Sequence, residues 1–180
     1  MNSMQLKDKL KNIAVKRELD FNTLLRLYMY DRFIERLAVS KYRDNFILKG
    51  GFYLSTLFGL ESRSTKDIDT AIKDANFTKE NVEEMIKSII SIDINDGALI
   101  NFVEIGNIRE EDQYGGFQIN MLGKLDNVTC RFGIDVATGD PIVPSEKNYD
   151  YKCLVTGEYL PLKTYSLESV IAEKLETILA

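Results

Sequence analysis

The chain has 180 residues, 44 % apolar and 28 % charged, with a formal net charge of −5 and no histidine. That length suffices for one domain with a real core, and the missing imidazole excludes His-based triads, His-ligated zinc and imidazole acid–base chemistry. No run of eighteen apolar residues suggests a membrane span, no apolar h-region marks a signal peptide, and two cysteines make no disulfide framework, so the expectation is a cytoplasmic protein with reduced thiols.

Residues 1–45 read as an N-terminal helical segment packed on the core. They carry ten Lys or Arg against six Asp or Glu, which leaves the remainder near −9. A basic face here would suit an RNA partner, although a solvated helix surface is the plainer explanation. Residues 4–16 read as a short polar helix. Residues 21–39 follow as a second, with Phe21, Leu24, Leu25, Tyr28, Ile34 and Leu37 mostly at helical spacing and Asp20 as N-cap. Phe46-Ile47-Leu48 is a short buried strand, broken by Gly50-Gly51. Residues 52–59 predict a helix that Gly59 stops. Residues 67–73 predict a strand whose period-2 pattern puts Ile68 and Ile72 on one face and Asp67 and Asp69 on the other.

Residues 79–90 predict a helix with Val82, Met85, Ile86 and Ile89 inward and Thr78 as cap. After the Asn95-Asp96-Gly97 turn, residues 98–105, 116–123 and 129–136 read as strands at hairpin-like spacing. Residues 138–150 read as a loop, and 158–162 as a short strand. Residues 167–180 read as a helix capped by Ser166. Its Leu167, Val170, Ile171, Leu175 and Ile178 form one apolar arc, and Lys174 falls inside that arc. The order predicts an α/β or α+β domain, a mixed sheet flanked by helices over residues 46–180, with helices ahead of it.

The carboxylates carry the chemistry. Asp67 and Asp69 at i and i+2 on a strand point the same way, about 7 Å apart at the backbone. Like charges held together call for a positive partner, and Mg²⁺ is typically held by one or two carboxylates plus substrate phosphates. A D-x-D pair alone is common on surface strands; its surroundings make it specific. Gly50 and Gly51 let the backbone approach a ligand, and the amides opening the next helix are placed for phosphate oxygens. Arg63, Ser64, Thr65 and Lys66 offer cations and hydroxyls beside the acids. Asp135 interrupts an apolar strand between Ile134 and Val136, which is costly unless paired or metal-bound; it either completes the metal cluster or activates the attacking hydroxyl. Asp140 more simply shapes its loop, the alternative being that it faces the site. Lys174 is either a snorkelling lysine or one aimed at triphosphate.

These residues resemble a known family. F-I-L-K-G-G-F-Y-L-S-T-L-F-G-L (46–60) followed by R-S-T-K-D-I-D (63–69) is similar to the AbiEii/AbiGii toxin family, nucleotidyltransferase-like toxins of abortive-infection and toxin–antitoxin systems. Y-G-G-F-Q-I (114–119), F-G-I-D-V-A-T-G-D-P-I (132–142) and Y-S-L-E-S-V-I-A-E-K-L (165–175) extend the likeness to roughly residues 20–180. The resemblance implies a DNA polymerase β-like nucleotidyltransferase fold. It places the first motif on Gly50, Gly51, Asp67 and Asp69, the third acid on Asp135, and the lysine of the V-I-A-E-K-L helix on Lys174. It implies transfer of NMP from an NTP to an RNA acceptor, with tRNA ends a known target class, Mg²⁺ (or Mn²⁺) as cofactor, and a cognate antitoxin encoded nearby that need not form a stable complex. The family usually continues past V-I-A-E-K-L to an R-x-K-D-x-x-D-like segment and further helices, so the core reads as truncated relative to full-length members.

On this reading Asp67, Asp69 and Asp135 hold metal, Gly50, Gly51, Ser64 and Lys174 contact phosphates, and Arg63 or Lys66 offsets transition-state charge. Transfer of NMP to a protein hydroxyl, or an inactive nucleotide-binding or interaction module, are the alternatives.

Overall fold

The computed structural model describes residues 3–58, 67–108, 115–138, 145–153 and 156–179. Helix α1 (Ser3–Lys16) leads into α2 (Phe21–Val39). The Asp20 carboxylate accepts the Thr23 amide at 2.9 Å, capping α2 as its sequence predicts. Strand β1 (Phe46–Leu48), helix α3 (Gly50–Phe58), strand β2 (Asp67–Ile72) and helix α4 (Lys79–Ile90) follow. Strands β3 (Ala98–Ile108), β4 (Gly116–Leu125), β5 (Val128–Thr138), β6 (Lys147–Lys152) and β7 (Tyr159–Thr164) precede helix α5 (Leu167–Leu179).

The strands form one seven-stranded sheet in the order β3-β4-β5-β2-β1-β7-β6. β3, β4 and β5 make an antiparallel meander, as the spacing predicts. β5 then runs parallel to β2, and β1 runs antiparallel to β2 but parallel to β7. This is a mixed α/β fold with a central sheet flanked by helices.

Alternation along the strands sorts the two faces. Ile68 and Ile72 of β2, with Phe132, Ile134 and Val136 of β5, join Leu24, Leu25, Tyr28, Met29 and Phe33 of α2 in the main core. α4 adds Val82, Met85, Ile86 and Ile89. Burying apolar side chains of this size stabilises the fold by roughly 1.5–3 kcal/mol each. The buried Arg36 guanidinium of α2 grips the Asp96 carboxylate at 2.8 and 3.1 Å and the Ala98 carbonyl at 3.0 Å, anchoring the start of β3. On the opposite face Ile47, Tyr53, Ala71, Tyr165 and Val170 form a smaller cluster beneath α3 and α5. Asp67, Asp69 and Asp135 project from this second face.

Three elements depart from the sequence expectation. α3 begins at Gly50 rather than residue 52. Residues 147–150, read as loop, belong to edge strand β6, whose KNYDYK run buries only Tyr151, which hydrogen-bonds the buried Asp31 carboxylate. The apolar arc of α5 is mostly uncovered: Val170 is buried, but Leu167, Ile171, Leu175 and Ile178 are 42, 50, 54 and 77 % exposed. No helix among the described residues is long and apolar enough to cross a membrane.

Candidate active site

The site is assembled by the parallel pairing of β2 with β5. In that register Asp67 faces Gly133 and Asp69 faces Asp135 directly. The pairing is locked from both sides, because Ile68 and Ile134, also partners, are fully buried in the core below. A short local pattern, D-I-D in one strand and G-I-D in the other, thus places three carboxylates on one face.

Asp69 is the most deeply built of the three. Its Oδ2 accepts the Phe52 amide at 3.0 Å, and the Gly51 amide also bonds to it. The carboxylate thereby satisfies amides that open α3, acting as a cap from a different strand. Its backbone carbonyl accepts the Lys49 amide at 3.0 Å. Gly50 makes this approach possible. It sits at φ +57°, and a Cβ there would lie 2.8 Å from the Asp69 carboxyl carbon. Burial raises the Asp69 carboxyl above its ordinary range, while the Phe52 and Gly51 amides and the charges of Lys174 and Lys49 pull the other way.

Asp135 is half-buried. Burial, the charge of Asp67 and, more weakly, that of Asp69 push its carboxyl up to about 6, against the hydrogen bond from Gln118. Gln118 Nε2 donates to Oδ1 at 3.3 Å, and Thr70 Oγ1 donates to the Asp135 carbonyl at 3.0 Å. Asp67 leans over Gly133, where a Cβ would come within 2.2 Å of its Oδ1.

Lys174, on the exposed side of α5, lies close enough for its charge to act on Asp69. The neighbouring Glu173 bonds Lys49 Nζ at 2.8 Å, and that ammonium sits 5.1 Å from the centre of the Tyr165 ring. These contacts tie α5 to the β1–α3 junction. Arg63, Ser64, Thr65, Lys66 and Asp140 lie outside the described residues.

Three residues the sequence reading passed over belong to this constellation: Lys49, Gln118 and Gly133. Gln118 and Gly133 become legible only once β4, β5 and β2 are paired, since nothing in their local sequence marks them. Lys49 had a signal, its position between a buried strand and two glycines.

Among the described residues no group of three or more His, Cys, Asp or Glu side chains is drawn close enough to hold a metal ion. The donor chemistry nonetheless suits a hard divalent cation: three carboxylates on one face, two of them held up by burial and one further raised by its neighbours' charge. A cation on that face would cancel the mutual repulsion of these carboxylates. Two surface hollows, one along α1 at Gln5, Lys9 and Asn12 and one near Arg43 and Lys163, include none of the three acids.

A mixed sheet flanked by helices, with three acids on one face beside a glycine-opened helix, is consistent with a nucleotidyltransferase-like architecture. The chain belongs to the family described as nucleotidyl transferase AbiEii toxin, Type IV TA system, which it matches over residues 32–180. Among solved structures it is similar to JHP933 from Helicobacter pylori, with 18 % identity and a TM-score of 0.50 over 85 % of this chain and 56 % of that one. A second H. pylori protein, named as a candidate nucleotidyltransferase, matches at 19 % identity and a TM-score of 0.48, over 82 % of this chain and 55 % of that one. The chain therefore spans about half the length of these solved structures. Comparison with curated proteins gives no match.

Proposed function

We propose that this chain carries the catalytic core of a toxin that transfers a nucleoside monophosphate from an NTP to an RNA acceptor, with tRNA as the acceptor class, and that a cognate antitoxin encoded nearby restrains it. The observation that carries the reading is the in-register pairing of Asp69 with Asp135, with Asp67 on the same face. Family membership supports it.

Asp67, Asp69 and Asp135 would hold Mg²⁺ or Mn²⁺. When bound, such an ion neutralises triphosphate charge and lowers the pKa of an attacking hydroxyl. The chain's own residues supply the rest. Asp69 is fixed by the Gly51 and Phe52 amides, so its carboxylate is oriented before substrate arrives. Asp135, with its Oδ1 held by Gln118, leaves Oδ2 to take the proton from the acceptor hydroxyl. The acceptor oxygen bonds to the α-phosphorus as the bond to pyrophosphate breaks. Lys174 offers a cation to the leaving phosphates, and Gly50, Gly51, Arg63, Ser64, Thr65 and Lys66 are the further phosphate contacts proposed.

The test incubates the full-length protein with labelled NTPs and total tRNA, alongside Asp69→Ala. Label in tRNA with wild type alone supports the reading. Equal incorporation by both overturns it, and label appearing in protein instead overturns the RNA acceptor.

A further inference from the structure

We propose that Gly133 is a positioning residue for Asp67: the empty space at its α-carbon sets where the first carboxylate of the site can lie. The inference rests on the nucleotidyl-transfer reading of the site for its consequence, but not for its geometry.

The three acids are held by three different devices. Asp69 is held by helix amides and Asp135 by Gln118. Asp67 stands opposite Gly133 in the β2–β5 ladder, and its carboxylate crosses the strand to lie over that glycine. A Cβ on residue 133 would fall 2.2 Å from Asp67 Oδ1, 3.1 Å from its Cγ and 3.6 Å from its Cβ. The first distance is far inside van der Waals contact, so alanine and the present Asp67 rotamer exclude each other. Gly133 is not among the residues with positive φ, so its backbone conformation is not what demands glycine. It is also buried within a strand, where glycine is a weak choice for packing and entropy. The space it leaves is filled by one functional group, the Asp67 carboxylate. A clash with the far end of a flexible side chain is relieved by rotating that side chain. Gly133→Ala therefore moves Asp67 away from its place beside Asp135 and leaves the sheet standing.

The test compares wild type, G133A, D67A and the double variant G133A/D67A. Three readouts are taken: thermal unfolding, direct Mn²⁺ binding followed by the electron paramagnetic resonance of the free ion, and the ¹³C signal of the Asp67 carboxyl, assigned by its loss in D67A. G133A is expected to shift the Asp67 carboxyl signal and to weaken Mn²⁺ binding tenfold or more. In the D67A background the same change is expected to have no further effect on Mn²⁺. Should G133A unfold the chain, G133A/D67A is expected to unfold at the temperature of D67A, because the conflicting carboxylate is gone. An unmoved Asp67 signal in folded G133A overturns the proposal, as does an equal loss of Mn²⁺ affinity with and without Asp67, or a double variant that stays unfolded. Failure of wild type itself to bind Mn²⁺ overturns the nucleotidyl-transfer reading instead, and the carboxyl signal then decides Gly133 alone.

Discussion

Asp69 and Gly50 share one volume: the carboxyl carbon of the acid lies 2.8 Å from where a side chain on residue 50 would begin. Residue 50 also sits at φ +57°, so any side chain there meets both a strained backbone and an occupied space. Gly50→Ala is expected to destabilise the chain by about 1–3 kcal/mol, read as a lowered urea midpoint at unchanged slope. A midpoint equal to wild type would mean that Asp69 moves aside without cost.

Asp69 has a structural duty separate from chemistry. Removing its carboxylate leaves the Gly51 and Phe52 amides at the start of α3 without their acceptor. Asp69→Ala is expected to cost about 1–2 kcal/mol. Asp69→Asn retains an oxygen acceptor and is expected to lose less stability while losing activity fully. Chemical denaturation of the two variants side by side checks this.

Asp135 gives a signed pH dependence. Its carboxyl is held up to about 6 in the folded chain against an ordinary 3.8, so the folded state binds this proton more tightly than the unfolded state. Its contribution to stability is full below pH 3.8 and is lost as the pH rises through about 6. Thermal unfolding in EDTA is expected to show this fall, and Asp135→Asn to flatten it. Adding Mg²⁺ at pH 8 is expected to raise the wild-type unfolding temperature, and to raise that of Asp135→Asn less.

Lys174 and Lys49 separate by readout. Lys174 is exposed, so Lys174→Ala is expected to change stability by no more than about 0.5 kcal/mol. Its expected effect is on the apparent KM for NTP, about tenfold. Lys49 is paired with Glu173 at 2.8 Å, and Lys49→Met is expected to cost about 1 kcal/mol as α5 loses that tie. Steady-state kinetics and denaturation on both variants distinguish the two.

Tyr151→Phe tests the strand the sequence hid. The Tyr151 hydroxyl hydrogen-bonds the buried Asp31 carboxylate, linking edge strand β6 to α2. Losing it is expected to cost about 1–3 kcal/mol and to speed amide exchange in β6.

Strong local signals made most elements legible. Asp20 and Thr78 cap their helices as their positions predict, and period-2 alternation put Asp67 and Asp69 opposite Ile68 and Ile72. β6 was not legible. Its polar residues face solvent on a sheet edge, and the glycine and prolines just ahead of it read as loop. α5 misled differently: its apolar periodicity is real, yet only Val170 of the arc is covered among the described residues. Periodicity identifies a face but does not say whether that face is buried here. Within the site, the acids are visible one by one, but their partners Gly133 and Gln118 are specified by strand pairing, a nonlocal property.

The alignment of β2 with β5 also fixes a sequence of events in time. Asp69 and Asp135 come from segments separated by α4 and the whole β3–β4 hairpin. During synthesis the helix-capping carboxylate is in place long before its opposite number has been made. A ribosome-bound chain that has emerged only as far as β4 holds two of the three acids and nothing to set against them. The three-acid face comes into being only when β5 slots between β2 and β4, so chain growth itself determines the earliest moment at which the proposed chemistry has its full set of carboxylates.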